Sequence, residues 1–303
     1  MSEIFKVCIV RTGTSNSDHE GFLFQFVVVS GRKCNFFYAA KPEQAYSPVN
    51  LHIPMHFLSG NKFLIIGHRG LPARYTENTL KSFMAARDAG LDAVELDVQL
   101  TSDGVPVVFH DFDLRRLAGM NKELSDMTWK EVSGIRLTGE RRIPTLENVI
   151  KSMDSFNFFI ELKTIRDDGT MMKNDLPDKV VSLILEHSLH DNVVVISFNP
   201  YSLMKVQELD RNIRTGIDYD RTTLPVFFQQ NREKIRSLRD FDVLLPERGL
   251  HSDQELAAFI KGGSTVIPWT VDDPDQARRF KKSGCSGIIT NEGDHLMHEM
   301  LKD

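Results

Sequence analysis

Two acidic residues separated by a single position interrupt an apolar run, Val94-Glu95-Leu96-Asp97-Val98. An apolar run of this length predicts a β-strand, and residues two apart on a strand project from the same face. Neighbouring carboxylates repel each other, and this repulsion costs stability unless a cation lies between them. Glu95 and Asp97 are therefore candidate ligands of a divalent metal ion.

A predicted turn returns the chain towards this acidic pair. Residues 101–104 have the sequence Thr-Ser-Asp-Gly, and Asp-Gly is a strong signal for a hairpin. Folding the chain about the bond between Asp103 and Gly104 places position 110, a histidine, opposite position 97. A histidine beside a metal site is suited to proton transfer. The plainer interpretation is an exposed hairpin that carries a few polar side chains.

Further polar residues stand at the ends of two other predicted strands. The strand that begins at Phe63 ends in His68 and Arg69, and a later strand ends in Glu161 and Lys163. Three carboxylates suit Mg²⁺ or Ca²⁺, and the two cations suit a phosphate group. Two histidines suit acid and base catalysis near neutral pH. Together these groups favour attack on a phosphate diester.

Strands alternate with helices from about residue 62 to the end of the chain. Without the returning arm of the hairpin there are eight such units in residues 61–303, which predicts a (β/α)₈ TIM barrel. In that fold the active site lies where strands meet their following helices, so the polar residues above would converge. The alternative is an open doubly wound sheet, but no G-x-G-x-x-G follows a strand. The predicted elements include a strand at Thr265–Val271 and a long polar helix that ends near Arg239.

Residues 1–60 differ from the rest. Three short runs rich in Val, Ile and Phe predict strands, at Ile4–Val10, Phe22–Ser30 and Cys34–Ala40. Residues 41–60 contain three prolines and are interpreted as a linker. We therefore expect a small β-rich N-terminal extension, without a chemical site of its own, before a barrel domain at 61–303.

Charge and cysteine usage narrow the class of protein. The net charge of −5 does not favour a nucleic acid as partner. Three widely separated cysteines, Cys8, Cys34 and Cys285, fit reduced thiols in the cytoplasm. We find no basic segment followed by an apolar run, and no apolar stretch of the ~20 residues that span a bilayer. We therefore expect a cytoplasmic protein without a signal peptide or transmembrane segment.

The ordered motifs carry a family resemblance that covers residues 62 to 300. They are similar to those of the glycerophosphodiester phosphodiesterase family, in the phosphatidylinositol phospholipase C-like group of TIM barrels. Besides the Glu95/Asp97 strand, the motifs are His68-Arg69-Gly70, Glu77-Asn78-Thr79, Val107–Asp111, Pro144–Glu147, Ile160–Lys163 and Trp269–Val271.

The resemblance implies hydrolysis of glycerophosphodiesters, such as glycerophosphocholine, to sn-glycerol 3-phosphate and an alcohol. The substrate's glycerol hydroxyl would attack phosphorus, and water would open the cyclic phosphate. Which histidine acts first as base stays open. By the family pattern the metal ligands would be Glu95, Asp97 and Glu161, the acid/base pair His68 and His110, and the phosphate contacts Arg69 and Lys163.

Some positions have two interpretations. Arg69 and Lys163 either bind phosphate or form salt bridges with the metal-binding carboxylates. Glu77 either supports the site from behind or supplies charge at a helix N-terminus. Trp269 is either a wall of the substrate pocket or part of the barrel core.

The chain departs from the family pattern in three places. Leu117–Met120 stand where a Thr-Thr-Asn-Gly-like turn is common, which leaves the alcohol-side specificity open. Asp272 stands where Asn is usual, and Thr290-Asn291-Glu292 replaces Thr-Asp-x-Pro. We expect the last two departures to touch the rim of the site without a direct role in it.

Two other functions fit the same residues. One is a lysophospholipase D- or sphingomyelinase-like enzyme that acts on a larger lipid, and it would require an apolar rim. The other is a non-catalytic phosphate-binding module, although a binder needs no pair of histidines. The preferred substrate is a small glycerophosphodiester; the choice of Mg²⁺ or Ca²⁺ and the oligomeric state stay open.

Overall fold

The chain divides into two compact units, Met1–Met55 and His56–Asp303. The computed structural model describes residues 56–301 apart from 61, 140, 167, 173–174 and 224–237, together with four strands between residues 6 and 51. The division lies five residues before the predicted boundary at 60. Residues 56–59 belong to the second unit because His56 donates from Nε2 to the Val193 carbonyl and the Phe57 amide donates to the Asp191 carbonyl.

The first unit contains a four-stranded antiparallel sheet with its strands in chain order. The first three strands occupy the three apolar runs that the sequence singles out, and the fourth lies in the segment interpreted as a linker. The strands are β1 (Lys6–Arg11), β2 (Phe24–Ser30), β3 (Lys33–Tyr38) and β4 (Val49–Leu51).

The second unit is a nearly closed barrel of eight parallel strands, which confirms the predicted (β/α)₈ architecture. A ninth strand, β7 (Pro106–Val108), pairs antiparallel with the second barrel strand and is the returning arm of the hairpin. The barrel strands are β5 (Leu64–Gly67), β6 (Ala93–Leu100), β8 (Phe158–Leu162), β9 (Val193–Ser197), β10 (Arg214–Tyr219), β11 (Val243–Pro246), β12 (Thr265–Val266) and β13 (Gly287–Thr290).

The barrel strands are buried on both faces, as their apolar sequences require. Inward-facing side chains such as Ile66, Phe159 and Ile196 fill the barrel below the carboxyl ends of the strands. Outward-facing side chains pack against the surrounding helices. Side chains therefore fill the barrel interior, which forms the floor of the cavity at the carboxyl ends of the strands.

Helices follow most of the barrel strands. None of those in the described residues is long and apolar enough to cross a membrane. The helix predicted to end near Arg239 falls mostly on residues 224–237, outside the described part of the chain. The described α-helices are α1 (Leu80–Asp88), α2 (Arg115–Ala118), α3 (Trp129–Val132), α4 (Leu146–Ser152), α5 (Leu176–Glu186), α6 (Pro200–Leu209), α7 (Asp253–Lys261), α8 (Pro274–Lys282) and α9 (Gly293–Met300).

The strand predicted at Thr265–Val271 is wrong in its length, because only Thr265 and Val266 form regular ladder pairs. Pro268 has no amide hydrogen to donate to a neighbouring strand. The segment nevertheless continues along the barrel, since Trp269 forms an isolated parallel bridge with Glu247. The amide of Ile289 donates to the Pro268 carbonyl, which joins this segment to β13 across the seam of the barrel.

Candidate active site

The three predicted metal-binding carboxylates meet above the barrel floor. Glu95 and Asp97 lie on β6 and Glu161 lies on β8, where Asp97 and Glu161 are direct neighbours in the parallel register. One oxygen from each carboxylate lies within 4.8 Å of the other two. All three side chains are buried, and Oδ1 of Asp97 has no hydrogen-bond partner.

The electrostatics of this trio fit a cation. Burial raises the pKa of Glu95 well above its usual value, and the charges of Asp97 and Glu161 raise it further. Burial likewise raises the pKa of Glu161. Burial also opposes ionisation of Asp97, but Arg69, His110 and Lys163 hold the pKa of Asp97 below its usual range. Crowded acids and an unpaired buried oxygen are what a hard divalent ion would satisfy.

The hairpin brings His110 to the site of the three carboxylates. The register in which β6 pairs with β7 differs by one residue from the predicted one. Val98 pairs with Val108, and the Phe109 amide donates to the Asp97 carbonyl over 2.9 Å. Position 109, and not 110, therefore stands opposite Asp97. The turn spans one residue more than a two-residue hairpin loop, because the Thr101 amide bonds the Val105 carbonyl around residues 102–104.

Gln99, which is not among the predicted site residues, fixes the chain on either side of His110. Its buried Nε2 donates to the carbonyls of Phe109, His110 and Asp111 over 2.7, 3.1 and 2.8 Å. The signal was present in the sequence, since Gln99 lies two residues after Asp97 and therefore on the same face of the strand.

His68 is oriented by a neutral amide. Its Nδ1 lies 2.8 Å from Oδ1 of Asn291. The Asn291 amide nitrogen Nδ2 donates to Asp272 over 3.0 Å, which assigns Oδ1 as the atom that faces the imidazole. His68 therefore carries its proton on Nδ1, and Nε2 lies 3.9 Å from the Glu95 carboxylate with a free lone pair. Burial, helped by the charge of Arg69, lowers the pKa of His68 to about 4.

The hydrogen bonds that link His68, Asn291 and Asp272 change the interpretation of the two departures from the family pattern at the rim of the site. Asp272 accepts hydrogen bonds from the backbone and side-chain amides of Asn291 and from the Thr290 hydroxyl. Asp272 and Asn291 were expected to touch the rim without a direct role. Through His68 they set which imidazole nitrogen faces the carboxylates, a contact between residues 223 positions apart that no local pattern reveals.

His110 is oriented by a carboxylate instead. Its Nδ1 lies 2.7 Å from Oδ1 of Asp111, and Arg116 donates to both oxygens of Asp111. Burial opposes ionisation of Asp111, but its hydrogen bonds with His110 and Arg116 hold its pKa below the usual range. The two histidines thus differ in the group that their Nδ1 atoms contact, an amide oxygen at His68 and a carboxylate at His110.

Both interpretations of the two cations agree with the structure. Arg69 contacts Glu77 over 2.9 Å and Asp97 over 3.3 Å, and Lys163 contacts Glu161 over 3.2 Å and Asp97 over 3.8 Å. Arg69 and Lys163 also line the cavity above the carboxylates. They are thus held by salt bridges in positions that face a ligand.

Glu77 lies just before α1, where it bonds Arg69 and Arg116. Arg116 also pairs with Asp111, the residue that supports His110. Glu77 thus links the segment that carries His68 and Arg69 to the segment that carries His110, as the supporting interpretation requires.

A cavity of about 500 Å³ joins these groups. Trp269 is half-buried and lines this cavity, and its Nε1 donates to the Leu245 carbonyl over 2.8 Å. The Phe198 ring packs edge-on against Trp269 with centroids 5.5 Å apart. Trp269 therefore belongs to the cavity wall. The cavity also contains His68, Arg69, Glu95, His110, Glu161 and Lys163.

Comparison with known proteins matches this arrangement to one family. Residues 68–295 match the model of the glycerophosphoryl diester phosphodiesterase family. The chain is 30% identical over 250 residues to a glycerophosphodiester phosphodiesterase of Caldanaerobacter subterraneus, covering 80% of this chain and 99% of that protein. A glycerophosphodiester phosphodiesterase from Thermotoga maritima superposes with a TM-score of 0.62 at 28% identity, covering 78% of this chain and 98% of that one.

A phosphodiesterase from Oleispira antarctica, solved in complex with the product sn-glycerol-3-phosphate, superposes with a TM-score of 0.65 at 22% identity. That superposition covers 78% of this chain and 96% of the other and supports the barrel fold. The family match covers most of the chain and includes every residue of the site described above. The chain therefore belongs to the glycerophosphoryl diester phosphodiesterase family, whose members hydrolyse glycerophosphodiesters.

Proposed function

We propose that the protein hydrolyses small glycerophosphodiesters to sn-glycerol 3-phosphate and an alcohol, with a divalent metal ion and with His68 and His110 as its acid/base pair. The observation that carries this proposal is that both histidines line one cavity with Glu95 and Glu161, two members of the buried carboxylate trio. The Oleispira relative, whose structure contains sn-glycerol-3-phosphate, supports the choice of product. A cytoplasmic location, which the sparse cysteines favour, is part of the proposal.

Glu95, Asp97 and Glu161 would hold the metal, and either Mg²⁺ or Ca²⁺ accepts three carboxylate oxygens. When bound, such an ion supplies positive charge for the phosphate oxygens and for an ionising hydroxyl. Arg69 and Lys163 add fixed positive charge at the cavity wall, where they stabilise the charge that develops on the non-bridging oxygens.

In the first step His68 acts as base. The 2-hydroxyl of the substrate's glycerol gives its proton to Nε2 of His68, and its oxygen forms a bond to phosphorus. The bond between phosphorus and the oxygen of the other alcohol breaks, and that oxygen takes a proton from Nε2 of His110. The assignment follows from the neighbours of the two rings: Asn291 leaves Nε2 of His68 with a free lone pair, whereas the Asp111 carboxylate holds Nδ1 of His110 and leaves its Nε2 to exchange a proton with the leaving alcohol.

In the second step the roles reverse. Water gives a proton to His110 and attacks the cyclic phosphate, and the ring bond to the 2-oxygen breaks. That oxygen recovers a proton from His68, which leaves sn-glycerol 3-phosphate and both histidines in their starting forms. One pair of residues thus serves both steps.

A small substrate is favoured over a lysophospholipid by the surface around the cavity. Of the exposed large apolar side chains in the described residues, only Met171 lines the cavity. An enzyme of the lysophospholipase D or sphingomyelinase type needs a broader apolar rim for acyl chains. A phosphate-binding module without activity would leave the pair of histidines unexplained.

The test is release of sn-glycerol 3-phosphate from glycerophosphocholine after removal of metal by a chelator and again after addition of Mg²⁺ or Ca²⁺. We expect turnover only with metal, and loss of that turnover in Glu161→Gln. Glu186→Gln, at a surface glutamate of α5, is the matched control and should retain activity. Turnover of lysophosphatidylcholine without turnover of glycerophosphocholine would support the lipid enzyme, and binding without turnover would support the binding module.

A further inference from the structure

One buried acid in the cavity has no part in the chemistry described above. Asp218 lies near the carboxyl end of β10 and is 4% exposed. Its Oδ2 has no hydrogen-bond partner, yet the residue lines the same cavity as the histidines. A buried polar atom without a partner is costly, and when it lines a cavity it is suited to contact with a ligand.

Asp218 does not belong to the metal-binding trio. The group of carboxylates whose oxygens lie within 4.8 Å of one another consists of Glu95, Asp97 and Glu161. Burial raises the pKa of Asp218 well above its usual value, with the charge of Glu161 adding to the effect. The residue thus lies close enough to the trio to sense its charge, and it lines the same cavity without belonging to the trio.

The cavity that Asp218 lines also has apolar walls. Ile196, Phe198, Trp269 and Ile289 line it together with Asp218. A buried polar group in a cavity that also has apolar walls fixes the orientation of a small ligand that has both carbon–hydrogen surface and a hydroxyl group. The glycerol half of a glycerophosphodiester has this chemistry, and all substrates of the proposed reaction share it.

We propose that the carboxyl group of Asp218 forms a hydrogen bond with the sn-1 hydroxyl of the substrate's glycerol. This inference rests on the proposed function, in which the 2-hydroxyl is committed to attack on phosphorus and only the sn-1 hydroxyl is free. The contact holds the glycerol with its 2-hydroxyl near His68. It also makes a free sn-1 hydroxyl a requirement, so the site rejects lysophospholipids, which carry an acyl group at that oxygen.

The test compares glycerophosphocholine with its 1-deoxy analogue, propane-1,2-diol 1-phosphocholine of matching configuration. The analogue retains the attacking hydroxyl and the leaving group and lacks only the hydroxyl in question. For the wild-type enzyme we expect kcat/KM about a hundredfold lower for the analogue, because the buried carboxyl is then left unpaired. Equal kcat/KM values for the two substrates would overturn the proposal without any variant.

Asp218→Ala should lower kcat/KM for glycerophosphocholine about a hundredfold and leave the analogue within about threefold, so that the preference disappears. Asp218→Asn retains an oxygen that can bond a hydroxyl and should restore part of the preference. The matched control is Asp154→Ala at an exposed aspartate, which should leave the ratio of the two kcat/KM values unchanged. Equal losses on both substrates in Asp218→Ala would indicate a structural role and contradict the proposal.

The two proposals fail in different ways. If the wild-type enzyme releases no glycerol 3-phosphate from any glycerophosphodiester, the proposed function is wrong. If it hydrolyses glycerophosphocholine and the 1-deoxy analogue equally well, the reaction stands and only the role of Asp218 is wrong.

Discussion

At the scale of single residues, the difference between the two histidines depends on what stands behind each imidazole ring. Asn291 presents an amide oxygen to His68, and Asp111 presents a carboxylate to His110. Asp272 fixes Asn291 in turn. In the family pattern that this chain resembles, Asn is usual at position 272 and Asp at 291. The two departures therefore exchange places and compensate each other within one hydrogen-bonded group.

This compensation predicts how activity responds when the residues at positions 272 and 291 are exchanged. Asn291→Asp places a second carboxylate against Asp272 and removes the donor that held the pair together, so kcat on glycerophosphocholine should fall at least about tenfold. Adding Asp272→Asn restores one amide and one carboxylate with their positions exchanged, and most of the activity should return. A double variant as impaired as the single one would show that the pair does not act as a unit.

The nine site residues predicted from sequence all lie in or directly around one cavity, because they stand near the carboxyl ends of strands, in the hairpin or, for Glu77, in the loop before α1. Asn291, Gln99 and Asp218 escaped prediction for physical reasons. Asn291 acts through a residue far along the chain, and Gln99 acts on backbone carbonyls. The importance of Asp218 comes from an unpaired oxygen that only burial reveals.

At the scale of elements, the hairpin formed by β6 and β7 is the device that supplies His110. The Asp-Gly sequence predicted the turn correctly. The pairing of β6 with β7 is shifted by one residue from the predicted register, because the loop contains one more residue than a two-residue hairpin loop. The alternation of strands and helices predicted the barrel. The prediction failed where Pro268 withholds an amide hydrogen, so the strand after residue 266 is irregular although its sequence reads as continuous.

The hydrogen bonds that Gln99 donates to the carbonyls around His110 lead to a testable prediction. Gln99→Leu keeps the volume and removes three hydrogen bonds to the carbonyls around His110, so the returning arm should lose its fixed position. We expect kcat to fall about tenfold or more while the concentration of metal that gives half-maximal activity changes little, since Glu95, Asp97 and Glu161 do not depend on the arm. A loss of metal affinity as large as the loss of kcat would contradict a role confined to the histidine.

At the scale of the whole molecule, the site carries a cost in stability that a metal ion would relieve. The folded-state pKa of Glu95 is raised by burial and by its acidic neighbours. The folded protein therefore holds a proton that the unfolded chain releases above its ordinary pKa of ~4.3. Stability must then fall as pH rises through the interval between the unfolded and folded pKa values.

Glu95→Gln removes this titration while keeping an oxygen for the Arg69 amide. In the presence of a chelator, the Tm of this variant minus that of the wild type should grow as pH rises from about 4.3. With Mg²⁺ or Ca²⁺ at neutral pH the wild type should have the higher Tm of the two, because it binds the ion more tightly. Thermal unfolding across pH measures both effects, and a difference independent of pH and of metal would contradict a metal site at Glu95.

The central claim is that His68 removes a proton from the attacking hydroxyl while His110 gives one to the leaving alcohol. The most direct measurement compares His68→Ala and His110→Ala on glycerophosphocholine and on glycerophospho-p-nitrophenol, whose leaving group departs without a proton. In a single turnover, which reports the first step alone, His110→Ala should slow release of the leaving group about 10²–10⁴-fold from glycerophosphocholine and far less from the nitrophenyl diester. His68→Ala should impair both. Equal losses on the two diesters in His110→Ala, or selective rescue of His68→Ala by the nitrophenyl group, would contradict the assignment.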